Sequence, residues 1–87
     1  MIVNGKVVLE IAVKSQEDCR VIIASLLPDE RDLPQGVSST IKCVDDKLIY
    51  EVVYSVESDR LLSVYNTIDD FIRNLRIALE SLNGLGR

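Results

Sequence analysis

The stretch DRLLSVYNTIDDFIRNLRIALESLNG, residues 59–84, takes up more than a quarter of the chain. In it Leu61, Tyr65, Ile68, Ile72, Leu75, Leu79 and Leu82 recur at alternating spacings of four and three. Val64, Phe71 and Ala78 form a second row, seven apart. That period predicts one long amphipathic helix. Ser58 or Asp59 is placed to cap its start, and Asn83 with Gly84 to end it. Ser63, Asn66, Thr67, Asp70, Arg73, Asn74, Glu80 and Ser81 make its polar side, while Leu62 and Ile77 fall outside the main stripe.

Upstream of this helix the period changes to two. In residues 47–57 Leu48, Tyr50, Val52, Tyr54 and Val56 share one face, with Ile49 and Val53 on the other beside Lys47, Glu51 and Ser55. Residues 37–44 read as a second strand, and the Asp45–Asp46 step between the two makes them a hairpin. Residues 6–14 alternate as well, with Val7, Leu9, Ile11 and Val13 on one side. Lys6, Val8, Glu10, Ala12 and Lys14 lie on the other. Ser15 and Asp18 form an S-x-x-D start signal, since the Ser oxygen can accept from a first-turn N–H and the acid suits the helix dipole. A helix over about 16–27 follows, apolar nearly all round, which implies cover on more than one side. Residues 28–36 hold both prolines, a glycine and four charges, and read as a loop.

The order is β-α-β-β-α. A strand joined through a helix lies parallel to the strand it leads into, and a hairpin is antiparallel. Sheet order 1-3-2 satisfies both, with the two helices on one face. The expectation is a two-layer α+β fold in one domain spanning residues 1–87, its three-stranded sheet antiparallel or mixed. No internal repeat or low-complexity segment interrupts it.

A helix of ~24 residues spans ~36 Å, whereas three strands span only about 15 Å across. The longest strand, ~11 residues, matches the helix lengthwise only if untwisted, and strands twist. Part of the apolar stripe is therefore expected to overhang the sheet and to serve contact with another protein.

Composition narrows the function classes. The net charge is −4 and the pI about 4.6, so the basic footprint of an autonomous nucleic-acid binder is missing. No apolar run approaches a membrane span. The start of the chain lacks signal-peptide character, so a cytoplasmic protein without membrane contact is expected. Cys19 and Cys43 are expected to be reduced and buried in such a compartment. There is no histidine, which removes the commonest general base and metal ligand.

Other candidate chemistry reads as structure. Asp69 and Asp70 project about 100° apart on a helix and sit four and three residues before Arg73, an ion-pair pattern. Asp45 and Asp46 lack the further oxygen ligands of a metal loop. The G-x-G of NGLGR follows a helix, unlike a phosphate loop. Tyr50 and Tyr54 lie on the apolar strand face and are expected in the core, while Tyr65 belongs to the helix stripe. Arg60, Arg73 and Arg76 are the best candidates for a phosphate contact.

The order of elements, the segment VLEIAVKSQEDCRVIIASLLPDE and the terminal SDRLLSVYNTIDDFIRNLRIALESL resemble the Pcc-type small subunit of the KEOPS complex, over about residues 7–82. Where that family often carries an Arg-Ala pair before the helix Asn, this chain has SVYN, residues 63–66, which also fits a diverged paralogue. The resemblance implies a non-catalytic subunit that forms a homodimer, or a heterodimer with a paralogue. It implies docking on the threonylcarbamoyl-transferase subunit and help in holding tRNA during threonylcarbamoyl-adenosine formation. It implies no cofactor of the chain's own, ATP and metal belonging to other subunits. Carried onto this sequence, the docking residues are Ile22, Ile23, Leu26, Leu62, Tyr65, Ile72 and Ile77, and a tRNA contact falls on Arg60, Arg73 or Arg76. Two other classes compete. A stand-alone RNA-binding module of KH-like or double-stranded-RNA-binding kind needs a G-x-x-G turn or a basic face, and neither is present. A small enzyme using Asp or Tyr needs a concave polar pocket.

Overall fold

The computed structural model describes residues 1–26 and 33–83. Its elements are β1 (Ile2–Ala12), α1 (Gln16–Leu26), β2 (Val37–Val44), β3 (Lys47–Glu57) and α2 (Leu61–Asn83). One sheet holds the strands in order β1-β3-β2, with both pairings antiparallel. This is the expected α+β fold. β1 begins four residues earlier than its alternation suggested, because Ile2 to Gly5 pair with Glu57 to Tyr54.

Register explains the core. Val7 faces Val52, Leu9 faces Tyr50 and Ile11 faces Leu48 across β1 and β3, while Ile41 and Cys43 face Tyr50 and Leu48 from β2. These share the face that both helices cover. From α2 the buried residues are Val64, Thr67, Phe71 and Leu75. Thr67, expected on the polar side, turns inward and its hydroxyl donates to the Ser63 carbonyl at 2.9 Å. The row seven apart therefore points straight at the sheet, and the longer a/d stripe splits to either side of it. Phe71 lies flat on Tyr50, ring centroids 3.5 Å apart and planes within 2°.

The helix starts differ from one another. The Asp18 backbone N–H donates to Ser15 Oγ at 3.1 Å, as the S-x-x-D signal predicted. Ser58 and Asp59 do not cap α2 in the expected way. They lie inside a 3-10 turn, Ser58–Arg60, whose flanking residue Glu57 makes no side-chain cap bond. The chain start holds this corner instead. Ser58 N–H donates to the Met1 carbonyl at 2.9 Å, and the Met1 amine sits 3.1 Å from Glu57 Oε2. α2 runs to Asn83, and Gly84 lies outside the described residues.

Most of the loop expected over 28–36 also lies outside them. Its end is a turn in which Val37 N–H donates to the Pro34 carbonyl at 3.2 Å and Ser55 N–H to the Gly36 carbonyl at 2.9 Å. Gly36 has φ 85°, and a Cβ there would sit 2.5 Å from the Ser55 carbonyl oxygen. Gly36→Ala should cost about 2 kcal/mol, the left-handed penalty plus the clash. A thermal melt by circular dichroism checks this, and an unchanged midpoint would contradict it.

The cysteines correct an expectation. Cys19 and Cys43 are not free thiols but a disulfide, with Cα atoms 6.1 Å apart. α1 begins directly over the end of β2, and the inward register of Cys43 brings the two within bridging range. That proximity depends on the packing of α1 over β2 and not on the compartment.

Candidate interaction surface

α2 lies on the sheet as a ridge with two flanks. At 100° per residue Leu61, Ile72 and Leu79 fall within about 20° of one another, and Tyr65 is about 40° from Leu61. Leu79 lines a cleft of about 400 Å³ with Ala12 and Val13 at the end of β1, together with Lys14, Asp18, Ile22 and Leu82. This flank therefore faces the β1 side. The other flank meets α1. There Asn74, Ile77, Ala78 and Ser81 line a groove of about 220 Å³ with Ser25 and Leu26.

Expected docking residues separate on this geometry. Ile22 and Leu26 are only 1% and 2% exposed and belong chiefly to the chain's own core, each adding a small part to the wall of a cleft beside α2. A short helix with one turn-spaced row against a sheet spends that row on its own fold. Ile23 is half-buried against the core. Leu62 is 67% exposed, Tyr65 64%, Ile77 59% and Ile72 47%. Val21 on α1 is exposed as well.

Two further features border the Tyr65 flank. Leu61, placed in the core stripe, is exposed on the same flank as Tyr65. As the order 1-3-2 implied, β1 is an edge strand, and among the described residues it pairs with β3 alone, over its full eleven residues. An unpaired strand edge carries a row of free backbone donors and acceptors. The edge lies next to the Leu61, Tyr65 and Ile72 flank, and Val3 and Val7 on its inner face are only half covered. Also on that face, Tyr54 lies across Gly5, its partner in register, where any Cβ would collide with the ring.

The arginines do not form one group. Arg73 Nη2 bonds Asp69 Oδ2, and its Nη1 lies 3.6 Å from Asp70 Oδ1. Arg76 Nε is 3.3 Å from Glu80 Oε1. These are the helix pairs that the spacing predicted for Arg73, with one more beside them, each worth a few tenths of a kcal/mol. Arg60 stands apart on the 3-10 turn, beside Glu57, Gly36 and Ser55. The far face of the sheet carries two loose ion pairs, Lys6–Glu51 at 3.9 Å and Lys47–Glu10 at 3.8 Å, among exposed Val8, Val44 and Val53.

Among the described residues no group of His, Cys, Asp and Glu has the geometry to hold a metal ion. No described helix is long and apolar enough to cross a membrane. The Cα radius of gyration is 14.0 Å, against roughly 12 Å for a compact chain of this length. Fold and surface together define a small, elongated α+β module that offers apolar helix surface and a strand edge for association.

The family is also visible in comparison. The family model described as "Transcription factor Pcc1" matches residues 6–83, and the chain belongs to the Pcc1 family. A chain from a solved structure described as "Crystal structure of binary complex Gon7-Pcc1" shares the fold, with TM-score 0.76 and 16% identity. That alignment covers 94% of this chain and 96% of the other. A comparison with curated proteins by sequence gave no match.

Proposed function

We propose that this protein is the non-catalytic scaffold subunit of a KEOPS-type complex, pairing with a second copy of itself or a paralogue. It presents its helices to the threonylcarbamoyl-transferase subunit and helps hold tRNA. The carrying observation is apolar surface on both flanks of α2 that the chain's own sheet leaves uncovered. Membership of the Pcc1 family, a family of KEOPS subunits, supports the same reading.

The two flanks suit different partners. The β1 edge with Leu61, Tyr65 and Ile72 suits self-pairing, because strand addition and helix contact can form together across a two-fold axis. The groove between α1 and α2 suits a helix of the transferase subunit. Small Ser25, Ala78 and Ser81 leave room for an inserted side chain, and Ile77 supplies the apolar contact. Leu62, at the crest near the start of α2, borders the self-pairing flank. For tRNA phosphate Arg60 is the first candidate, since Arg73 and Arg76 already face carboxylates of their own helix.

Co-elution with the transferase subunit on a sizing column tests the docking assignment. The wild-type chain should co-elute, and Ile77→Asp should abolish co-elution while leaving the self-paired mass unchanged. Failure of the wild type to co-elute, or indifference to the substitution, would remove the groove from this role.

A further inference from the structure

We propose that the Cys19–Cys43 bridge is a reducible latch, which holds α1 on the sheet and thereby keeps the groove between α1 and α2 in shape. The consequence for docking rests on the function proposed above; the latch itself does not.

α1 is a weakly anchored element. It has eleven residues, fewer than an isolated helix needs for stability in water. Its buried positions are Asp18, Cys19, Ile22 and Leu26, and its outer side leaves Val21 exposed. One of its four anchors is thus the bridge itself. The bond ties the first turns of α1 to the inner face of β2, an edge strand, across 24 positions of sequence. At the other end of the same helix Ser25 and Leu26 form one wall of the groove that holds Ile77. A restraint at Cys19 is transmitted to that wall because the helix between them is a rigid rod.

Burial makes opening and reduction interdependent. Cys19 is 0% exposed and Cys43 is the more accessible partner. A dithiol reductant attacks as its thiolate at Cys43 Sγ, breaks the S–S bond and leaves Cys19 as a thiolate that takes up a proton. The reductant's second thiol then displaces Cys43, which is protonated in turn. The protein gains two electrons and two protons, and the reductant becomes a disulfide. A partner that binds the closed arrangement of both helices more tightly than the loosened one makes reduction less favourable, by the reciprocity of linked equilibria.

Amide hydrogen exchange on the full chain, oxidised and in dithiothreitol, tests this. In the reduced chain amides of residues 16–26 should exchange roughly 100-fold faster, with β3 and the middle of α2 unchanged. Cys43→Ser should match the reduced chain and ignore dithiothreitol; if it does not fold, the reduced wild type still gives the readout. Equal protection of α1 in both forms overturns the latch. So does an equal loss of protection across the whole chain, which would make the bridge a staple of the entire fold. Binding to the transferase subunit, measured on both forms, should weaken about tenfold on reduction. Loss of binding in both forms would count against the docking function and leave exchange to decide the latch.

Discussion

Replacing Phe71 by Ala should cost about 3–5 kcal/mol of folding stability. The side chain is buried in the middle of α2, flat against the fully buried Tyr50 ring at 3.5 Å between centroids. Removing it empties the centre of a two-layer core and strips one face of Tyr50, losing the aromatic contact along with the buried area. A domain of 87 residues has roughly 4–13 kcal/mol of stability in total. At the low end of that range the loss brings the variant close to its unfolding midpoint at room temperature. Phe71→Leu, which keeps most of the volume, should lose under half as much. Urea denaturation of the two variants checks the prediction, and a Phe71→Ala midpoint near that of the wild type would contradict it.

Tyr65→Lys combined with Ile72→Glu should dissociate the self-paired form with almost no effect on the fold. Both positions are largely exposed on one flank of α2. Each new charge falls four residues before an opposite one, Asp69 and Arg76, so the helix itself is not weakened. At an interface centre an aromatic or large aliphatic anchor is worth about 2 kcal/mol or more. Two such losses amount to roughly a 1,000-fold weaker association. Surface substitutions away from the core shift folding stability by only about 0.5 kcal/mol. Sedimentation equilibrium and a parallel melt separate the two effects. A double variant that still pairs as tightly as the wild type would place the self-contact elsewhere.

The fold was legible because each segment carried one period. The change from two in residues 47–57 to the four-and-three pattern of α2 separated strand from helix. The hairpin and the helical crossover then left one sheet order. Local pairs were equally readable, since Ser15 with Asp18 and Asp69 with Arg73 depend only on backbone spacing. What was hidden depends on the third dimension. A stripe wider than the sheet contact does not say which row faces inward. Phe71 and Val64 took the centre, and Leu61 and Tyr65 were turned outward. Ile22 and Leu26 looked like surplus on an all-round apolar helix, yet they are what fixes α1 to the sheet. The bridge between Cys19 and Cys43 joins residues 24 apart whose proximity arises only after α1 crosses toward β2. The β1 edge was implied by the order 1-3-2, which leaves β1 and β2 outermost, but which helix flank lies on its side depends on packing.

The most direct measurement is the mass of the purified wild-type chain by multi-angle light scattering at micromolar concentration. The account predicts about twice the 9.7 kDa of one copy, falling toward one copy in the Tyr65 and Ile72 double variant. A wild-type chain that stays at 9.7 kDa at every concentration would contradict the claim that α2 and the β1 edge pair with a second copy.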